Sequence, residues 1–363
     1  MNQSVLTFLP ALHGDAFIFH CYKGENEGYI IVDGGPNRNP ILNPFISEVE
    51  KIGYIDLMIM THQDDDHLVG IKNYIERHKN DEIFPVGRLW VNTARFVDMP
   101  EGHNLSASKA NSMADTLRKM ENANKARWTE SVIAGFDTSD ITFADIEVVA
   151  PSAKTLGLFF DSYEALLTQR GVEPAMDLSA SKRIEEDRNI DLQTLSEREK
   201  NKPNPDNYAN LANMASIAFI VRCDGLSALM LGDSFPEEVE SYLRGKGYSE
   251  ENKLKVDFVK VSHHGSRNNI SNTLLDIIDC ANYIIPTNGG VKRTYHPDRE
   301  TLANILCHKR RDRSKPVRFY FNYPLYKIEN RVGKLFNDED VKLNYVIHDN
   351  NNDLPKNLRI LRP

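Results

Sequence analysis

The sequence predicts an α/β fold in which helices cover a β-sheet. Three observations predict it. Short runs rich in β-branched and aromatic residues alternate with helix-patterned stretches over residues 5–95. The alternation returns over residues 210–310. In both halves a buried apolar strand runs straight into a polar cluster, a pattern suggestive of a weak duplication rather than of short repeats.

Each element follows in order. "SVLTFLPALHGDAFIFHCYKGENEGYIIVDGGP" reads as two or three strands broken by glycine-containing turns. "NPILNPFISEVEKIG" reads as a helix, "IDLMIMT" as a fully buried strand, "LVGIKNYIERHKN" as a helix and "VGRLWVN" as a strand. Residues 96–210 read as an irregular, charged insertion. Within it "NLSASKANSMADTLRKMENANKARW" is helix-patterned and "ITFADIEVVAPS" strand-like. "SASKRIEEDRNIDLQTLSEREKNKPNPDN" holds too few apolar residues to bury itself and is expected as an exposed excursion. Order resumes with "MASIAFIVRCDGLSALMLGD", two strands around the turn "CDG". "PEEVESYLRGKG" is a helix with carboxylates in its first turn, where the helix dipole favours them. Then come the strand "VDFVKVSHHGS", the helix "NTLLDIIDCA", the strand "NYIIPTN" and the helix "HPDRETLANILCHKRR". Residues 1–310 thus read as one domain carrying the insertion. Residues 311–363 read as an extension of short strands and a polar tail.

Composition narrows the function. The 363 residues carry a net charge of −8, which argues against a broad basic surface for non-specific nucleic-acid binding. Cys21, Cys223, Cys280 and Cys307 form no CxxC pair and match no zinc spacing, so they read as reduced thiols. The N-terminus lacks the basic start and apolar core of a signal peptide. No apolar run approaches the roughly 20 residues needed to span a bilayer. A cytoplasmic protein with no membrane partner is expected.

The chemistry concentrates in "THQDDDHLVG", where three consecutive aspartates sit between two histidines. Adjacent carboxylates repel, so something positive is expected among them. In extended backbone His62, Asp64 and Asp66 face one way, and His67 turns aside as the next helix begins. Imidazole and carboxylate are ligands of divalent transition metals. One segment cannot fill two coordination spheres. Asp233 in "LMLGDS", His263 and His264 in "VKVSHHGS", and His296 in "TYHPDRE" end other strands and are the further candidates. Asp15 and Asp33 read as structural turn aspartates, Asp65 as a cap or solvent-facing, and Asn213 and Ser216 as candidates for ordering the site. His13, His20, His78, His103, His308 and His348 have no partner pattern.

The pattern T-H-x-[HD]-x-D-H resembles the signature of the metallo-β-lactamase superfamily. "HGDAFIF", "IVDGG", "THQDDDHLVG", "MASIAFIV…MLGD", "VKVSHHGS" and "YHPDRETL" follow in the order of the branch that includes the hydrolase domain of ComEC-type competence proteins. The resemblance covers residues 5–95 and 210–310. It implies a four-layer αββα sandwich with the site along one edge. It further implies His62 and Asp64 on a first metal, Asp66 and His67 on a second, and Asp233 bridging both. His263 would close the second, with His264 beside it. Asp64 stands where many members carry histidine. The usual mid-chain histidine ligand is missing between His67 and Asp233, where only His78 and His103 occur. This oxygen-rich set fits two divalent ions, Mn²⁺ or Zn²⁺.

Such a pair lowers the pKa of a water between the ions and suits phosphodiester hydrolysis. Asp66 would orient the attacking water. His264 or His296 would protonate the leaving group or hold a phosphate, with Ser266 and Arg267 as further phosphate contacts. Lys292 and Arg293 would add a local basic patch. The expected function is a metal-dependent phosphodiesterase, foremost a nuclease acting on DNA. The alternatives are a hydrolase of a small phosphoester, cyclic nucleotide, lactone or thioester, and a catalytic subunit of a multi-protein, defence-related assembly. In the last case the insertion or the C-terminal extension would dock protein partners. Nothing in the sequence indicates an oligomeric state.

Overall fold

Short, largely buried strands build two large sheets and one small two-stranded sheet. The first half supplies β1 (Val5–Phe8), β2 (Phe17–Lys23), β3 (Asn26–Val32), β4 (Leu57–Met60), β5 (Leu89–Val91) and β6 (Trp128–Thr129). The second supplies β7 (Asp145–Ala150), β8 (Ala218–Cys223), β9 (Leu226–Met230), β10 (Leu254–Lys255) and β11 (Phe258–Lys260). It continues with β12 (Ile278–Asp279), β13 (Asn282–Ile285), β14 (Val317–Phe321), β15 (Tyr345–His348) and β16 (Leu358–Ile360). This computed structural model describes residues 3–36, 44–92, 105–168, 188–198, 212–290 and 295–362.

The strand order is β16-β1-β2-β3-β4-β5-β6 in one seven-stranded sheet and β15-β14-β13-β11-β9-β8-β7 in the other. Each sheet pairs its first three strands antiparallel and then turns parallel. The expected duplication is therefore visible in the topology: β1-β2-β3-β4-β5 corresponds to β7-β8-β9-β11-β13. The helices are α1 (Phe45–Glu50), α2 (Asp65–His78), α3 (Leu105–Asn122), α4 (Ala153–Thr168), α5 (Leu192–Ser196), α6 (Pro236–Gly245), α7 (Asn272–Asp276), α8 (Arg299–Cys307) and α9 (Leu325–Val332).

Three apolar clusters show the layering. Phe17, Phe19, Leu57 and Ile59 meet Phe219, Met230 and Phe258 between the sheets. The intervening Ile18, Met58 and Met60 pack outward with Leu68, Ile71 and Leu117 of α2 and α3. On the far side Leu229, Val259 and Ile285 pack against Val239, Leu274, Leu302 and Ile328. The result is a four-layer αββα sandwich. It explains why "LMIM" is apolar throughout: a strand between a helix layer and a second sheet has no polar face. Burying one such side chain contributes ~1.5–3 kcal/mol.

Several expectations change. α2 starts at Asp65 rather than Leu68, with Asp64 as N-cap. The "short strands" after residue 310 include a helix, α9, whose Ile328 and Val332 are buried one helical turn apart. Strands within residues 311–363 join both large sheets. β14 and β15 extend the second sheet, and β16 pairs in parallel with β1, Leu6 opposite Leu358. Helix α4, with Leu156 and Phe159 buried, was not foreseen in the insertion. Of the charged excursion, residues 188–198 are described. α5 buries Leu192 and Leu195, and the Leu192 amide donates to Asp340. Arg299 ties this segment down through the Ile190 and Leu335 carbonyls and Asp340. No described helix is long and apolar enough to cross a membrane.

Candidate metal centre

Parallel register aligns the strand ends from which the site is built. Val32 lies opposite Ile59, Met230 opposite Lys260, and Lys260 opposite Ile284. Just beyond these ends stand Asp33, His62, Asp233 and His263. Asp33 and Asp233 follow the corresponding strands β3 and β9, and His62 and His263 follow β4 and β11. The Ile217 amide donates to the Thr61 carbonyl at 2.9 Å, stitching the two sheets together at this edge.

Asp233 Oδ2 is the hub. It lies 3.8 Å from His62 Nε2, 3.5 Å from His67 Nε2, 3.8 Å from His263 Nε2 and 3.9 Å from His264 Nε2. Asp64 Oδ2 is 3.6 Å from His62 Nε2. Asp66 reaches His67 Nε2 at 3.9 Å and His264 Nε2 at 3.3 Å. Asp66, His67 and His264 form one compact trio, and His62, His67 and Asp233 another.

Each imidazole is oriented through its other nitrogen. His67 Nδ1 donates to Asp33 Oδ2 at 2.8 Å, and His264 Nδ1 to the Pro286 carbonyl at 3.0 Å. His62 Nδ1 donates to Thr61 Oγ1 at 3.1 Å, whose own hydrogen goes to Asp33 at 2.8 Å. His263 Nδ1 donates to Asn269 Oδ1 at 3.2 Å, while the Asn269 amide holds the Asp233 carbonyl at 3.0 Å. All four rings therefore turn Nε2 towards the hub. Nε2 of His62, His67 and His264 and Oδ1 of Asp233 are buried without a hydrogen-bond partner. Each such atom costs about 1–3 kcal/mol. Several of them converging is the signature of a donor set for a cation, with outer partners fixing the tautomers.

The electrostatics agree. Burial would raise the Asp233 pKa, but His67, His263 and His264 outweigh it and hold it well below the usual carboxylate range. Burial would lower His264; Asp233, Asp15 and Asp66 outweigh it and raise it to about 9. His67 is likewise raised by Asp233, Asp33 and Asp66 against burial. His263 goes the other way, pushed down to about 4 by burial and by His296 and His264, against Asp233. The carboxylates draw positive charge towards the side where His67 and His264 stand.

Backbone strain holds the second histidine pair. His263 and His264 adopt φ of 48° and 51°, a left-handed conformation costing ~1–2 kcal/mol per residue. Bonds from the His263 amide to the Gly232 carbonyl and from Ser262 Oγ to the Ser234 carbonyl brace the turn. Gly265 follows at φ 89°, and a Cβ there would sit 2.7 Å from Pro297 Cβ. Across the site, the Asp33–Gly35 turn packs on α2 so closely that a Cβ on Gly70 would lie 2.0 Å from the Gly34 carbonyl oxygen.

The other expected residues are distributed as follows. Asp66 lies in the first turn of α2, so the extended alternation expected for His62, Asp64 and Asp66 ends at Asp64. His296 is buried, its ring 5.1 Å from that of His263. Ser266 is buried, its amide bonded to the His263 carbonyl. Arg267 is also buried, and its guanidinium is engaged by Asp298 at 2.8 Å and Glu300 at 3.4 Å, which ties it to the start of α8. Lys292, Arg293 and His103 lie outside the described residues. His78 pairs with Asp81 and joins no metal-type cluster among the described residues. Ser216 Oγ accepts from the Asp233 amide at 3.2 Å, and Asn213 stands 3.5 Å from His263 Nδ1.

Sequence reasoning passed over the roles of five residues. His13 lies within electrostatic reach of Asp66, His67 and His264. Asn269 orients His263. Asp33 and Asp15, read as turn residues, face the imidazoles directly, with Asp15 3.4 Å from His264 Nδ1. Lys260 is buried in an ion pair with Asp15. A lysine inside the apolar run "FVKV" was the available signal, since lysine is rarely buried unpaired.

No family model matches the chain, and no curated protein matches it. Among solved structures it is similar to a metal-dependent hydrolase from Parabacteroides distasonis, at 11% identity and TM-score 0.33 over 94% of this chain and 99% of the other. It is similar to a diphosphatase of the PhnP family, at 11% identity and TM-score 0.36 over 99% and 95%. It is also similar to the CmlA β-hydroxylase, at 11% identity and TM-score 0.33 over 76% of this chain; the chain spans 45% of that protein's length.

Proposed function

We propose that this chain is a metal-dependent hydrolase of the metallo-β-lactamase superfamily, of the ComEC-like branch, that cleaves phosphodiesters and acts foremost on DNA. The observation that carries the reading is the convergence of four imidazole Nε2 atoms on Asp233 Oδ2, with three of them buried and without a hydrogen-bond partner. Charge supports two ions. Asp15, Asp33, Asp64, Asp66 and Asp233 carry five formal negative charges against one positive on Lys260, and two divalent cations bring that balance to zero.

Asp66, His67 and His264 would hold one ion, and His62, Asp64 and His263 the other, with Asp233 shared. In this reading His264, not His263, closes the second site. His263 then stands in for the absent mid-chain histidine. The mixed nitrogen and oxygen set suits Mn²⁺ or Zn²⁺. Two such ions, when bound, supply Lewis acidity and lower the pKa of water. The protein's own residues do the rest. Asp33, Asn269, Thr61 and Pro286 keep the imidazoles aimed. Asp66, at the partly open rim of the cluster, accepts a hydrogen bond from attacking water. His296, beside His263, donates one to the departing oxygen.

The test is a nuclease assay of the purified chain, stripped and reloaded with Mn²⁺ or Zn²⁺, on single- and double-stranded DNA and on RNA. Cleavage of DNA that chelation abolishes and metal restores is expected. Two bound ions per chain with no cleavage of any nucleic acid would sink the substrate assignment.

A further inference from the structure

Lys260 ends β11 and is 1% exposed. A buried ammonium is costly unless acceptors surround it. Its acceptors are Asp15, in an ion pair, and the Gly232 carbonyl at 2.7 Å; Asp233 Oδ1 faces it at 3.6 Å, an electrostatic contact rather than a hydrogen bond. Gly232 and Asp233 are consecutive, so one ammonium holds the turn after β9 by a hydrogen bond to Gly232 and by attraction to Asp233. Asp233 is thereby left with two unlike oxygens. Oδ2 faces the four imidazoles, whereas Oδ1 faces Lys260.

We infer that Lys260 is a positioning residue that reserves Asp233 Oδ1, so that Asp233 serves both cations through Oδ2 alone. The inference rests on the reading of this cluster as a two-ion centre. Its consequence is specific. A carboxylate free to turn can chelate one ion with both oxygens, and the shared atom is then withdrawn from the other ion. Loss of Lys260 should therefore strengthen or spare the first ion and weaken the second. Plain Coulomb attraction makes the opposite demand for the second ion, because removing a positive charge from beside the site favours every cation in it.

The experiment is a Mn²⁺ titration of the metal-free full chain, followed by calorimetry and by the loss of the paramagnetic signal of free Mn²⁺. Wild type should take two ions. Lys260→Met should bind the first within about threefold of wild type and the second about tenfold or more weakly, the size typical of lost outer-shell partners. Because Lys260→Met takes from Asp15 its ammonium partner, Lys260→Met/Asp15→Asn is measured beside it. Asparagine removes the stranded charge and keeps an acceptor towards His264 Nδ1. The same split between ions is expected. Equal weakening of both ions, tightening of both, or no change overturns the role given to Lys260 and leaves the two-ion centre standing. A wild-type chain that binds fewer than two ions overturns the centre itself. If neither variant folds, Lys260 is a packing element and the inference fails.

Discussion

Single atoms in fixed directions decide what this site can do. Asp233 and Asp66 are both acids of the cluster, but they are placed differently. Asp233 is 2% exposed at the hub, whereas the Asp66 side chain retains 23% of its exposure at the rim. Asp66→Asn and Asp233→Asn are each expected to lower turnover by about 10³-fold or more while leaving the fold intact, since each removes a charged donor that the site requires. Steady-state rates together with circular dichroism check this; an unchanged rate in either variant breaks the assignment. Asp298 offers a pH test. Burial would raise its pKa, but His296 and Arg267 outweigh burial and hold it at about 2. A carboxyl depressed in the folded state contributes stability that is present above its unfolded pKa of about 4 and is lost as pH falls through about 2. Metal-free wild type should thus lose on the order of 2 kcal/mol across that window through this group. Asp298→Asn should lack that contribution at every pH, so its stability difference from wild type should shrink between pH 4 and pH 2, as read by denaturant midpoints. A constant difference would refute the account.

Among the elements, α2 depends on a close approach that side-chain patterns do not reveal. The Gly34 amide donates to the His67 carbonyl at 2.8 Å and the Gly70 amide to Gly35 at 3.1 Å, so the Asp33 turn lies directly on the helix. Gly70→Ala places a methyl group against backbone, which cannot rotate away. It is expected to destabilise the chain by about 3 kcal/mol and to displace Asp33 from His67. A Gly70→Ala protein that melts like wild type would show that the turn can retreat. The start of α2 at Asp65 belongs to the same scale. Helix-patterned apolar residues begin only at Leu68, so periodicity placed the start there; the carboxylates of Asp65 and Asp66 sit in the first turn because the helix dipole favours them. α9 was hidden for the converse reason. Its aromatic and β-branched neighbours look strand-like, and only packing against the second sheet favours the helix.

For the whole molecule, the C-terminal strands close both sheets. Phe319, Tyr320 and Phe321 of β14 are buried, and β16 pairs with β1 across more than 350 positions of chain. Ending the chain at residue 310 should therefore yield no cooperatively folding protein. Soluble residues 1–310 with a single sharp unfolding transition would contradict this. What the sequence determined alone was local and repetitive. The alternation of strands and helices, the buried character of "IDLMIMT", and the clustering residues His62, Asp64, Asp66, His67, Asp233 and the His263–His264 pair were legible because they sit where apolar runs break. The αββα layering itself came from motif order, not from periodicity. Tertiary structure alone decided which nitrogen faces which oxygen. It set His264 with Asp66 and His67, turned Arg267 onto Asp298, and brought His13, Asn269 and Lys260 to the cluster. Those choices depend on strained dihedrals and on register between strands far apart in the chain, and no local pattern of residue types encodes either.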